Sequence, residues 1–298
     1  MNSRPYALFI RGNSESIFKL SDQLGFEAQA LNPLSDPLAI SMFEDGPDSM
    51  HIQALFETYD QAQSCFSGLD IPKEMESFIT QLDDEDWVAR SQSGLPPIII
   101  GPFCLHGAHD KSNIPKAIPY PIQIEAGMAF GTGHHGTTKG CLKALDDLLN
   151  SGLQPQSALD LGCGAGILAI AFIKATAAFY KGKILATDID PDAVKVTREN
   201  ATINGVSQRI ETLRADGFDD SALAGRQFDF IFANILAEPL MALAGDISQA
   251  LSKDGHVILS GILDEKAEIV ADRFIQTGLD IVPQPSIEGW TNLVGRKL

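Results

Sequence analysis

Between Ala158 and Ser260 the chain alternates short strand-like runs with helical ones. Strands read at Ala158 to Leu161, Ile184 to Asp188, Ile210 to Arg214, Phe228 to Ala233 and His256 to Ser260. Strands separated by helices pair in parallel, because only a crossover returns the chain to the start of a neighbouring parallel strand. The pattern therefore predicts an α/β fold, with helices on both faces of one parallel sheet. The C-terminal end breaks the rule. Leu279 to Pro283 and Gly289 to Arg296 read as two strands joined by a turn around Pro285, without a helix, and predict an antiparallel edge.

Upstream, residues 1 to about 85 read as a smaller α+β layer. Strand-like runs at Tyr6 to Ile10, Leu38 to Phe43 and His51 to Phe56 accompany helical runs at Ser14 to Leu24 and Tyr59 to Gly68. The pattern degrades from Leu82 to Pro121. An acidic cluster, Asp83 to Trp87, leads into a stretch with Pro96, Pro97, Pro102, Pro115, Pro119 and Pro121, which suits a domain junction. The expected organisation is a recognition layer over 1–85, a linker over 86–122 and a catalytic domain over 123–298. A chain of 298 residues accommodates this division at ~150 residues per domain.

Charge narrows the partner. The chain holds 22 basic and 39 acidic side chains, a net charge of -17. Residues 1–117 hold 7 basic and 17 acidic side chains and 118–298 hold 15 and 22, so the smaller part is the more acidic. That balance works against a binder that tracks phosphates with Lys and Arg, and favours a basic protein or a small molecule. The acidity is either a solvated surface or a docking face for a cationic protein. The apolar run Ile167 to Tyr180 is interrupted by Lys174 and is shorter than the ~20 residues that span a bilayer. No signal peptide is visible, and Cys65, Cys104, Cys141 and Cys163 form no C-x-x-C pair. A cytoplasmic protein without a disulfide framework or zinc site is expected.

The most informative motif is Ala158-Leu159-Asp160-Leu161-Gly162-Cys163-Gly164-Ala165-Gly166-Ile167-Leu168, a strand running through glycines into a helix. Glycines let the backbone take positive φ and approach a ligand, and the helix N-terminus offers free N–H groups. Counted from Gly164 the loop is G-x-G-x-x-A, a dinucleotide pattern, with Asp188 where a ribose-binding acid belongs. Counted from Asp160 it is D-x-G-x-G-x-G. Asp190 followed by Pro191 reads as a helix N-cap, which leaves Asp188 free to accept both ribose hydroxyls. Asp216, in Ala215-Asp216-Gly217-Phe218, reads as a turn residue from its Asp-Gly pair. Asn234 ends the fourth strand and either faces the ligand crevice or caps the next helix. The run from Glu125 to Lys139 is not a phosphate-binding loop, since Thr137 stands where lysine is required. Adjacent His134 and His135 diverge and make a poor metal site.

The D-x-G-x-G-x-G frame resembles motif one of class I S-adenosylmethionine-dependent methyltransferases. Resemblance to that fold implies that an acid at the place of Asp216 meets an adenine amino group. The run Gly127-Met128-Ala129-Phe130-Gly131-Thr132-Gly133-His134-His135-Gly136-Thr137-Thr138 resembles the signature of the PrmA family, methyltransferases of large-subunit ribosomal protein eleven. The resemblance continues, in order, through Asp160 to Leu168, Asp188 to Pro191, Ala233 to Leu236, Leu259 to Leu263, Gly289-Trp290 and Gly295-Arg296-Lys297. His134 and Gly136 depart from the Thr and Pro of many members, and the stretch from Gly166 to Asp188 is longer.

The resemblance implies a Rossmann-like, seven-stranded, mostly parallel sheet and a small ferredoxin-like N-terminal domain that recognises the ribosomal protein. It also implies a mobile linker. S-adenosylmethionine would be bound by Thr138, Gly162, Gly164, Asp188 and Asn234, with Asn234 also the catalytic residue and no metal. Three other readings share parts of this pattern: a dehydrogenase using the same glycine loop, a binding module that keeps the fold without the reaction, and a methyltransferase of another basic protein or a small amine.

Overall fold

The computed structural model describes residues 5–13, 16–17, 20, 24, 37, 39–46, 49–82, 97–124 and 136–298. The chain divides into two compact units, Met1–Gln92 and Ser93–Leu298. The acidic cluster Asp83 to Trp87 and the loop Glu125 to His135, including the paired histidines, lie outside the described residues.

The first unit is an antiparallel sheet in the order β2-β3-β1-β4. Its strands are β1 (Tyr6–Gly12), β2 (Ala39–Gly46), β3 (Ser49–Phe56) and β4 (Glu76–Gln81), with helix α1 (Tyr59–Gly68) before β4. Alternation puts Leu8 and Ile10 of β1 with Ile52, Ala54 and Phe56 of β3 on one face, packed with Ala62 and Cys65 of α1. A capping box between Thr58 and Gln61 starts α1. Strand β4 was not anticipated. Its residues are all exposed or half-buried, as befits an edge strand, and carry no apolar alternation to read. Of the helix read over Ser14 to Leu24, Ser16, Ile17, Leu20 and Leu24 are described, and the three apolar residues join the same core.

The second unit begins with three short strands, β5 (Ile98–Ile100), β6 (Phe103–His106) and β7 (Tyr120–Gln123), in that sheet order. All but Gln123 fall within the segment read as a linker. Strands of three or four residues are too short to show a period, and Pro121 lies inside β7. The unit continues as α2 (Gly136–Asn150), β8 (Ala158–Leu161), α3 (Ile167–Thr176), β9 (Ile184–Asp188), α4 (Pro191–Ile203) and β10 (Ile210–Arg214). It ends with β11 (Phe228–Asn234), α5 (Ala237–Ala242), α6 (Ala244–Ala250), β12 (Leu251–Leu263), α7 (Ala267–Ile275), β13 (Leu279–Pro283) and β14 (Trp290–Lys297). Phe103, Leu105 and Ile122 of the small sheet share a core with α3, and Asn204 exchanges two hydrogen bonds with the Gln123 backbone.

The seven strands of the main sheet lie in the order β10-β9-β8-β11-β12-β14-β13. Strands β8 to β12 are all parallel, as the alternation predicts. The antiparallel strand is placed differently from the expectation. Strand β14 inserts between β12 and β13 and pairs antiparallel with both, so β13 forms the edge. Burial explains the order: Thr291, Asn292 and Leu293 are covered, whereas β13 is mostly exposed beyond Leu279.

One face of the sheet packs α2 and α3, and the other packs α5, α6 and α7. On the first face Phe172 of α3 is fully buried, with ring centroids 4.9 Å from Tyr180 and 5.6 Å from Phe230. Phe172→Ala is expected to lower the unfolding free energy by about 3–5 kcal/mol, from lost transfer and the cavity left behind. Urea unfolding measures this, and an unchanged midpoint would remove the ring cluster from the core's account.

From β8 the chain builds outward through β9 and β10, then returns to the other side of β8 as β11. Loops leaving β8 and β11 therefore diverge at their carboxyl ends. That switch point is where open α/β sheets form a ligand crevice.

Candidate active site

The loop from β8 to α3 turns on three glycines at positive φ: Gly162 at 72°, Gly164 at 51° and Gly166 at 78°. Side chains with a Cβ rarely adopt this region. Space forbids them too, since a Cβ on Gly162 would stand 2.2 Å from Ile235 Cγ2. The loop is held from two sides. Gly162 and Cys163 donate their N–H groups to Thr187 O at 2.8 and 2.9 Å. From α4, Thr197 Oγ1 donates to Gly164 O at 2.8 Å and Asn200 Nδ2 to Ala165 O at 2.9 Å.

Asp188, at the end of β9, joins this loop directly. Its Oδ2 accepts from Gly164 N at 2.9 Å and its Oδ1 from Asp190 N at 3.0 Å. Two backbone donors thus fix the plane of the carboxylate, and each oxygen keeps a further lone pair for a ligand hydroxyl. Asp190 caps α4 as expected, accepting from Asp192 N at 2.8 Å with Pro191 in the first turn. Asp216 is exposed, and its main-chain carbonyl accepts from Asp219 N at 3.1 Å in a turn.

Asn234 ends β11 beside Ser260, its register partner on β12. It does not cap the following helix: α5 begins after Leu236 with no side-chain cap. Its amide has no hydrogen-bond partner among the described residues. Across from it, Ser260 Oγ donates to Thr137 O at 3.3 Å in the first turn of α2, where Thr138 is 2 % exposed. Thr138, Gly162, Gly164, Asp188 and Asn234 are therefore linked through immediate neighbours. Thr137 contacts Ser260, Ser260 flanks Asn234, Ile235 closes on Gly162, and Gly164 holds Asp188.

The sequence reading missed the supports. Gly261, at φ 81°, lies in the irregular stretch of β12, and a Cβ there would come 2.1 Å from Ile235 O. A glycine inside a strand pattern is the signal that marks such a close approach. Thr197 and Asn200 gave none, because polar residues on a helix normally read as its solvent face.

Asp160 lies beneath the loop, 1 % exposed. Its Oδ2 accepts from Ala169 N at 3.0 Å, while Oδ1 has no partner among the described residues. Burial pushes its carboxyl up to about 7; the Ala169 N–H opposes the rise, and the charge of Asp188 adds to it. The folded chain therefore keeps a proton on Asp160 between pH 4 and 7 that the unfolded chain has released. This contribution to stability is full below the ordinary value near 3.8 and is lost as pH rises through 7. Between pH 5 and 8 the wild-type chain is expected to lose on the order of 2–3 kcal/mol relative to Asp160→Asn, at ~1.36 kcal/mol per unit. Parallel denaturation curves at the two pH values check this, and equal slopes for both chains would contradict it.

The four cysteines are buried free thiols, and no group of three metal-ligating side chains occurs among the described residues. No helix among those residues is long and apolar enough to cross a membrane.

Known proteins resemble this chain in sequence and fold. The family model for ribosomal protein L11 methyltransferase (PrmA) matches residues 26–298. A ribosomal protein L11 methyltransferase of Mesorhizobium japonicum is 39% identical over 278 residues, covering 91% of each chain. One from Rhodopseudomonas palustris is 46% identical over 211 residues, 70% of each. Among solved structures, a ribosomal protein L11 methylase from Lactobacillus delbrueckii subsp. bulgaricus is 26% identical with a TM-score of 0.59, covering 68% of this chain and 100% of that one. The match spans both units and nearly the whole sequence, so the chain belongs to the ribosomal protein L11 methyltransferase (PrmA) family.

Proposed function

We propose that this chain transfers methyl groups from S-adenosylmethionine to lysine side-chain amines, and to the terminal α-amine, of ribosomal protein L11. The observation that carries the reading is the contiguity of the glycine loop, Asp188 and Asn234 at the switch point, in a chain whose family match runs over 26–298.

The donor set fits the cofactor. Glycines at positive φ bring a bare backbone loop to the switch point, its Gly162, Gly164 and Gly166 N–H groups held by Thr187, Asp188 and Cys163, and Asp188 offers two oriented acceptors for vicinal ribose hydroxyls. Asp160 Oδ1, buried under the same loop and without a partner among the described residues, suits a ligand donor or positive charge once the carboxyl releases its proton above pH 7. When bound, S-adenosylmethionine supplies an electrophilic methyl group on a sulfonium. Thr138, Gly162 and Gly164 would hold it, together with Asp188 and Asn234.

The protein's own task is to align a neutral amine and strip its water. A free lysine with a pKa near ~10.4 is neutral about one part in a thousand at pH 7.4, equivalent to roughly 4 kcal/mol. Desolvation lowers that cost by disfavouring the ammonium form. Asn234, with its uncommitted amide, accepts a hydrogen bond from the incoming amine and aims its lone pair. In this reading residues 1–85 recognise the substrate, residues 123–298 carry the chemistry and the short sheet between them packs on the catalytic unit. A net charge of -17 favours a basic protein substrate, and a ribosomal substrate fits a cytoplasmic enzyme.

Calorimetric titration with S-adenosylhomocysteine and with NAD separates this reading from a dehydrogenase. Saturable binding of the first and none of the second is expected; the reverse would overturn the proposal.

A further inference from the structure

Helix α2 meets the sheet through a polar cluster that the proposed chemistry does not use. Asn292 on β14 is 2 % exposed, and Ser260 on β12 and Cys141 on α2 are fully buried. Asn292 Nδ2 donates to Thr137 O at 3.4 Å and to Cys141 Sγ at 3.3 Å. With Ser260 Oγ, the Thr137 carbonyl thus receives side-chain donors from two adjacent strands. The amide also fills the place of a side chain on α2, since a Cβ on Gly140 would lie 2.2 Å from Asn292 Oδ1 and 2.5 Å from its Cγ. Glycine inside a helix and a primary amide inside a core are both unfavourable. An alanine facing a small apolar residue would occupy this volume without either cost, so packing alone does not account for the pair.

What the pair adds is two directed bonds to the helix turn that carries Thr138. The flank of that turn is fixed as well: a Cβ on Gly136 would come 2.1 Å from Ile287 O, and Lys139 pairs with Glu288. Ser260, which shares the Thr137 carbonyl with Asn292, is the register neighbour of Asn234. One small network therefore spans both sides of the crevice.

We infer that Asn292, with Ser260, is a positioning residue that fixes the first turn of α2, and so Thr138, against Asn234 in the cofactor site. The assignment rests on the cofactor reading above. Asn292→Ala removes the bonds and leaves a gap, while Asn292→Ala combined with Gly140→Ala refills the gap and restores helix propensity without the bonds. The single variant is expected to melt lower and bind S-adenosylhomocysteine about tenfold more weakly, as for one lost buried hydrogen-bonding group. The double variant is expected to regain the melting temperature but not the affinity. Ser260→Ala, which leaves little void, is expected to weaken binding by several-fold with little change in melting. Wild-type affinity in the double variant overturns the positioning role and makes Asn292 a packing residue. Absence of binding by the unmodified chain overturns instead the cofactor reading, and this assignment with it.

Discussion

Asp188→Ala is expected to weaken S-adenosylmethionine binding by about 10²-fold or more. The carboxylate is oriented by Gly164 N and Asp190 N, and its remaining lone pairs are those that would meet the ribose. Hydrogen bonds to a charged group contribute roughly 1.5–3 kcal/mol each, and 1.4 kcal/mol is a factor of ten. Two such bonds set the lower bound. Alanine also deprives two backbone donors of their acceptor, so the loop loses the bond from Gly164 while Gly162 and Cys163 stay attached to Thr187 O of β9. Asp188→Asn is expected to lose nearly as much, because its NH₂ group confronts one of those two backbone donors. Titration with S-adenosylhomocysteine measures both variants. Unchanged affinity in Asp188→Ala would remove this carboxylate from the site.

The second large effect falls on turnover. Asn234→Ala is expected to lower kcat about 10²-fold, the scale of losing one group that orients reactants in an active site. Cofactor affinity is expected to fall much less. The variant is clean in structural terms, because Asn234 neither caps α5 nor bonds to another described side chain. Stability should stay within about 0.5 kcal/mol of the wild type. Full turnover with unchanged cofactor affinity would remove Asn234 from both of its assigned roles.

Both predictions use residues that were legible before the fold was known, and the reason is local chemistry. A parallel sheet forces strand–helix alternation. Its ligand loops carry glycines, because positive φ is demanded there, and its strand-end acids stand out once a neighbour such as Asp190 is explained as a cap. The unread features are set by tertiary context. Strand β14 lies inside the sheet because Leu293 and its neighbours are covered on both sides, which two strands and a turn do not reveal. The strands β5 to β7 are too short for periodicity and are masked by prolines. Asn292 and Gly140 are 152 positions apart, so a polar residue in an apolar strand and a glycine in a helix look like two unrelated imperfections. Only their contact gives them meaning.

The central claim is that this crevice methylates one basic ribosomal protein. The most direct test incubates the chain with radioactive S-adenosylmethionine and ribosomal proteins from cells lacking this gene, then resolves the products by mass. A single labelled species at the mass of L11, gaining several multiples of one methyl group, is the predicted result. Label in other proteins or small amines, with L11 unmodified, would contradict the substrate assignment, and absence of any transfer would contradict the reaction itself.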